Sequence, residues 1–416
     1  MRITTIMFLG LALASTPDSG SAQAADRLWG TVTTGSGRQV EGFLRWDRNE
    51  LSWADMLDGS KRFDWEALAV WDEAIRQGAE PHEDRSIEFA GYRITWDDDQ
   101  GSMPGIAESG IRFGHIAELR VTGDEEVGVT LRSGQSFEMS GGATDIGRGL
   151  RGLLIEPASG ETLELEWEDL DRIRFSAAPN DARPSSARLW GRVEDRWGNA
   201  VSGYVAWDLD EALTSDVLNG EEDGRDREVV FSQIASIERD GWDGSIVTLR
   251  DGQVFRLSGT SDVGSGLGGV QVSDPGLGQI TIPWDDFGRV DFSEPTNALN
   301  WNDFRPSARI RGTVETEAGE RVSGWIRWDA DEEYDWEILD GNWRDLVYDV
   351  EFAMIARIEK QSSRRSEVTL RDGRVLELEG SNDVGRGNKG IFIETDDGER
   401  YLVDWENFAW AEFEGR

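Results

Sequence analysis

The chain has 416 residues, with 43 basic against 82 acidic side chains, a net charge of −39 and no cysteine. A field of that sign repels the phosphates of nucleic acid and anionic lipid, so neither is expected as a partner. The missing thiols exclude disulfides, thiolate catalysis and a lipidated N-terminal cysteine, leaving any fold to be held by its core alone.

In chain order, the first feature reads as a secretory leader over residues 1–24. Arg2 precedes an apolar stretch from Ile6 to Ala14, and the small-residue pattern Ala22-Gln23-Ala24 follows. The stretch is shorter than the roughly 20 apolar residues that span a bilayer, and no later run is long enough either. The expected destination is the periplasm or the outside of the cell. About 390 residues then remain, which suits two to four domains.

The remainder is a threefold tandem repeat. Copies open at Arg27-Leu28-Trp29-Gly30, Arg188-Leu189-Trp190-Gly191 and Arg309-Ile310-Arg311-Gly312. From the glycine to a Trp-Asp pair is 16 residues in each copy, at Trp46, Trp207 and Trp328. A turn glycine lies 13 further on, at Gly59, Gly220 and Gly341. The repeats are assigned to 25–176, 188–292 and 309–416, with connectors 177–187 and 293–308. Copy one alone carries 43 extra residues, placed at about 69–112. The best helix candidate, Trp65 to Arg76, borders that insertion. The connectors share Asn-Asp-x-Arg-Pro-Ser, at Asn180 and Asn302, which a flexible linker has no need to repeat; docked connectors are expected.

Within each repeat the apolar period is two. Val40, Gly42, Leu44 and Trp46 alternate with polar or outward residues, as do Val201 to Trp207 and Val322 to Trp328. This predicts strands buried on one face. Asp251-Gly252 and Asp372-Gly373, with Ser133-Gly134 in copy one, separate further alternating runs and predict tight hairpins. An Asp-x-Gly-x-Gly connection, as at Asp145, Asp262 and Asp383, follows the second hairpin and predicts a tight turn, with an anion-binding nest as the functional alternative. Each copy also reads as internally doubled. The runs Phe352 to Ile358 and Val368 to Gly380, with their counterparts, resemble SH3-like or Sm-like small barrels; no named family is matched. The fold class is therefore all-β, as tandem small β-barrel or β-sandwich repeats. A seven-bladed β-propeller is the alternative, since the halves plus the insertion number about seven.

Candidate chemistry is sparse. Histidine occurs only at His82 and His115, both read as surface or loop positions of the inserted region, so no catalytic triad can be built in every copy. Acidic clusters follow the first-hairpin tryptophan: Asp47, Asn49 and Glu50; Asp208, Asp210 and Glu211; Asp329, Asp331 and Glu332. Oxygen ligands so spaced suit Ca²⁺, although the glycine and distal glutamate of an EF-hand loop are missing; the bland alternative is a solvated acidic turn. No other cofactor is expected. Trp46, Trp207, Trp328, Trp167, Trp284 and Trp405 are expected in the core. Phe43, Tyr204 and Trp325 share one position on the opposite strand face, where they would pack between repeats or form platforms for a glycan or protein partner.

These residues point to an exported, non-enzymatic binding or scaffold protein with a protein or glycan partner. Two alternatives stay open: a carbohydrate-binding array on Phe43, Tyr204 and Trp325, and an enzyme with its site in the repeat-one insertion, using His82, Tyr92, Asp97 to Asp99 and His115. The acidic surplus itself suits solubility, in a salty medium for instance, or a store of divalent cations.

Overall fold

A computed structural model describes residues 24–62, 86–89, 92–95, 106–141, 145–329 and 331–415. The leader, the Trp65–Arg76 helix candidate, His82 and Asp97 to Asp99 lie outside them. The elements are strands joined by turns and short 3-10 segments, so the all-β tandem-repeat expectation holds.

Repeat one contributes β1 (Trp29–Thr34), β2 (Gln39–Trp46), β3 (Met56–Arg62), β4 (Ser86–Phe89), β5 (Tyr92–Thr95), β6 (Ile106–Arg112), β7 (Ile116–Val121), β8 (Glu126–Leu131), β9 (Ser136–Ser140), β10 (Leu153–Pro157), β11 (Leu163–Leu165) and β12 (Leu170–Phe175). Ten of these form one antiparallel sheet in the order β11-β10-β2-β1-β12-β7-β8-β9-β3-β6, while β4 and β5 pair only with each other. The edge strands β11 and β6 do not meet, so the sheet is not closed into a barrel. Repeats two and three have the same ten-strand order, and all their pairings are antiparallel.

Register breaks recur at equivalent places: Thr33/Thr34, Glu194/Asp195 and Glu315/Thr316 on the first strand, and Ile116/Glu118, Ile234/Ser236 and Ile355/Arg357 on the fifth strand of the repeat unit. Such bulges add local twist. The first strand pair also runs glycine against glycine, Gly30 opposite Gly42. A Cβ at Gly42, Gly203 or Gly324 would collide with the carbonyl of Glu156, Ser273 or Glu394 on the next strand. The glycine inside the alternating pattern therefore permits a close backbone approach.

The strand β6 pairs with β3 along its whole length, from Met56 opposite Arg112 to Arg62 opposite Ile106. Arg225–Val230 and Leu346–Glu351 do the same in the other copies. The limit drawn at 112 thus moves: residues 106–112 belong to the common hairpin, and the extra residues enter at its tip. A gap between Gly59 and Phe113 cannot be located by counting, because β6 shares no motif with its counterparts.

The six repeated tryptophans are buried, with Trp46, Trp207 and Trp328 at most 1 % exposed. Their indole N–H groups donate to the carbonyls of Asp145, Asp262 and Asp383 at 3.0, 2.8 and 3.0 Å. One apolar core runs through repeats two and three, and a second fills repeat one. The second also takes in Ala182 and Phe304, from matching positions of the two connectors, and Trp336 from repeat three.

Candidate metal centre

Each acidic cluster is a corner built by the repeat. The strand β2 ends at Trp46, whose backbone N–H and C=O bond the C=O and N–H of Glu50 at 2.8 and 3.1 Å. Trp207 with Glu211 and Trp328 with Glu332 do the same. Only three residues close the corner, which forces positive φ at Asp47 (41°), Asp208 (54°) and Asp329 (45°). A short polar side chain tolerates that region better than most. The aspartate carboxylate then accepts the backbone N–H of Arg151, Gly268 or Lys389, at the start of the strand after the glycine-rich turn.

That turn supplies a third carboxylate. Oδ2 of Asp145, Asp262 and Asp383 accepts the backbone N–H of Asp58, Asn219 and Asp340 at 2.8, 2.9 and 2.7 Å. In repeat one, ligand oxygens of Asp47, Glu50 and Asp145 all lie within 4.8 Å of one another, and all three residues are buried. Burial, followed by the charges of Asp145, Asp55, Asp47 and Asp58, pushes the Glu50 carboxyl well above the ordinary glutamate range. Burial and Asp262, Asp210 and Asp208 push Glu211 to about 9. Burial and Asp331, Asp383 and Asp329 push Glu332 up strongly. In all three corners the same atom, Oε2 of the glutamate, is buried without a hydrogen-bond partner.

Two of the three clustered carboxylates, Asp47 and Glu50, belong to the acidic cluster that follows Trp46. The third comes from the glycine-rich turn, whose repeated aspartate was visible in the sequence as a turn former. The intervening positions do something else. The Asn49 amide donates to Glu50 Oε1 and its carbonyl oxygen accepts from Arg151 at 2.7 Å. Asp210 sits 3.7 Å from Arg48 of repeat one. Asp331 is bonded to Glu332, and its backbone carbonyl accepts from Lys61 of repeat one at 2.9 Å.

The aromatic trio is not a set of platforms. Phe43 is buried edge-on against Trp29, with ring centroids 4.8 Å apart. Tyr204 is fully buried at the boundary of repeats one and two, edge-on to Trp190, its hydroxyl 3.0 Å from Asp26. Neither can receive a sugar ring. Trp325 alone is half-buried, with the guanidinium carbons of Arg309 and Arg311 5.5 and 5.1 Å from its ring. The matching arginine, Arg27, Arg188 or Arg309, lies over each of the three rings; what differs is burial, complete at Tyr204 and partial at Trp325.

His115 is neither a surface residue nor part of the insertion. It ends the 3-10 turn Phe113–His115 that every repeat possesses. Its ring packs edge-on against Phe304 of the second connector, and Nε2 lies 3.2 Å from Glu351 of repeat three. Arg112 Nε lies 3.1 Å from the other oxygen of Glu351. Burial works against the charge of Glu351, and Arg112 with His115 outweighs it, holding that carboxyl below the usual range. Tyr92 falls on β5, of which only the backbone is described.

Composition gave no hint of a cleft of about 350 Å³ between repeats two and three. Its walls include Ile280, Ile282, Trp343, Tyr348, Arg374 and Leu376. Two of its charged groups are engaged. Asp195 accepts the backbone N–H of Trp197 and Asn199, each at 2.9 Å, and Arg374 grips Asp274 at 2.6 and 3.0 Å. Trp197 stands edge-on to Trp343, with Arg344 against both rings.

No family model and no curated protein matches the chain. Among solved structures, a catalytically inactive variant of virginiamycin B lyase from Staphylococcus aureus, crystallised with quinupristin, is similar at 10 % identity over 70 % of this chain and 85 % of that one. The TM-score is 0.15, too low to bear on fold or function.

Proposed function

We propose that this chain is an exported, non-enzymatic binding protein that receives a glycan or a protein segment in the cleft between repeats two and three. The observation that carries the reading is the chemistry of that cleft. Aliphatic and aromatic walls offer an apolar surface, and its carboxylate and guanidinium are already paired. Groups so engaged orient a ligand but are poorly placed to move its protons. Export rests on the leader-like start. The charge of −39 disfavours nucleic acid. No helix among the described residues is long and apolar enough to cross a membrane.

The test is a titration of polysaccharides and of extended peptides into the mature chain, following tryptophan fluorescence. A saturable change that Trp343→Ala abolishes is expected. Binding that survives Trp343→Ala, or turnover of a bound ligand, would refute the reading. N-terminal sequencing of protein from the periplasm or medium should find a start at Ala25; recovery only from the cytoplasm with Met1 intact would refute export.

A further inference from the structure

The cleft leaves the acidic corners, with their buried and partnerless glutamate oxygens, unexplained. We propose that the corner of repeat one, formed by Asp47, Glu50 and Asp145, is a binding site for a hard divalent cation of the calcium class. The site lies apart from the cleft and does not depend on what the cleft binds.

Three observations converge. The first is geometric: three carboxylates from two distant segments bring oxygens within 4.8 Å of one another. Ca²⁺ holds oxygens at about 2.3–2.6 Å, so oxygens sharing one ion stand at about this separation or less. Two of the carboxylates are already fixed, Asp47 by the Arg151 backbone N–H and Asp145 by that of Asp58. The second is charge. Arg151 Nε lies 2.9 Å from Asp47 Oδ2, so three carboxylates and one guanidinium leave a formal −2, the complement of one divalent ion. Uncompensated charge of that size is costly out of water. The third is the orphan atom. Glu50 is 3 % exposed, and its Oε2 has no hydrogen-bond partner. An all-oxygen donor set selects Ca²⁺-like ions over zinc or copper.

Repeats two and three keep the three carboxylates, but their surroundings differ. Glu211 is only half-buried, and Glu332 is bonded to Asp331. Repeat one is therefore the site put forward.

The experiment uses the whole mature chain stripped of divalent ions. Tb³⁺ is added with excitation at tryptophan, since the Trp46 indole touches the Asp145 carbonyl and should sensitise emission. Ca²⁺ should quench that emission by displacement, and equilibrium dialysis should give a bound-Ca²⁺ stoichiometry that falls by one per chain in Glu50→Gln. Near-ultraviolet circular dichroism checks that the variant keeps its packing, and Asp145→Asn should reproduce the loss. Absence of Ca²⁺-competed emission from the unaltered protein would overturn the proposal. A stoichiometry unchanged in a folded Glu50→Gln or Asp145→Asn chain would also overturn it.

Discussion

The two junctions of repeat two are made in different ways. Toward repeat one, no strand pairs across among the described residues; the contact is side chains and charge. Arg188 reaches Asp55 at 3.2 Å with both side chains 1 % exposed, and Arg45 reaches Asp216 at 3.1 Å. Asp55, Asp216 and Glu337 are one repeated position, and each pairs with a cation of another repeat, the last with Lys61. Toward repeat three, Gly278–Ile282 pairs with Leu346–Glu351, and two sheets become one of twenty strands. Backbone pairing needs only a free edge, whereas a buried ion pair needs particular residues at particular places. The first junction should therefore answer to charge and pH, the second to backbone geometry.

The largest effect should come from Arg188→Ala. It removes the counter-charge from the buried Asp55 carboxylate, which keeps only the hydrogen bonds from Leu51, Ser52 and Ser273; the cost should be about 3 kcal/mol, and denaturant unfolding should show repeat one released first. A single unchanged transition would break the comparison. Next is a pH effect at the same junction. Burial, opposed by the Tyr204 hydroxyl and by Arg27, pushes Asp26 from 3.8 to about 7. Its proton is then retained folded and lost unfolded, so stability present below pH 4 should fall as pH rises to about 7. The slope is at most about 1.4 kcal/mol per pH unit. Melting temperatures across that window should flatten in Asp26→Asn.

At the second junction, Gly278 has φ +148°, and a Cβ there would strike the Asp349 carbonyl. Gly278→Ala should cost roughly 1–3 kcal/mol and speed hydrogen exchange at Val347 to Val350, with repeat one undisturbed. The smallest effect sharpens the contrast from outside. Arg311 pairs with the exposed carboxylates of Asp396 and Glu414; Arg311→Ala should leave the calorimetric melting temperature almost unchanged.

What each repeat buries within itself was legible, because period two and turn residues are local signals. The tryptophans, hairpins and β2 alternation could all be read that way. What one repeat does to another was not. Phe43, Tyr204 and Trp325 are equivalent in sequence and each lies under the matching arginine, yet Tyr204 alone bonds an aspartate of another repeat, and Arg311 takes beside Trp325 the place that Trp29 and Trp190 hold beside the other two. His115 looked solitary because its partners, Phe304 and Glu351, lie far along the chain. The acidic corner was half visible: Asp47 and Glu50 lie three residues apart in sequence, whereas Asp145 arrives only when the sheet curls.

The segment 293–308 belongs in sequence to the last two repeats and in space to the first. Trp301 lies on Trp53 and on Arg132, a residue 169 positions earlier, and Phe304 seals Gly114. As the chain is synthesised from its N-terminus, the opening unit must wait with a gap in its side until most of the polypeptide exists. Shortened genes that stop after the second unit would yield not a smaller working protein but one with an unfilled seam. The first repeat thus depends on residues supplied after the second, and the strap makes the three copies one interdependent unit.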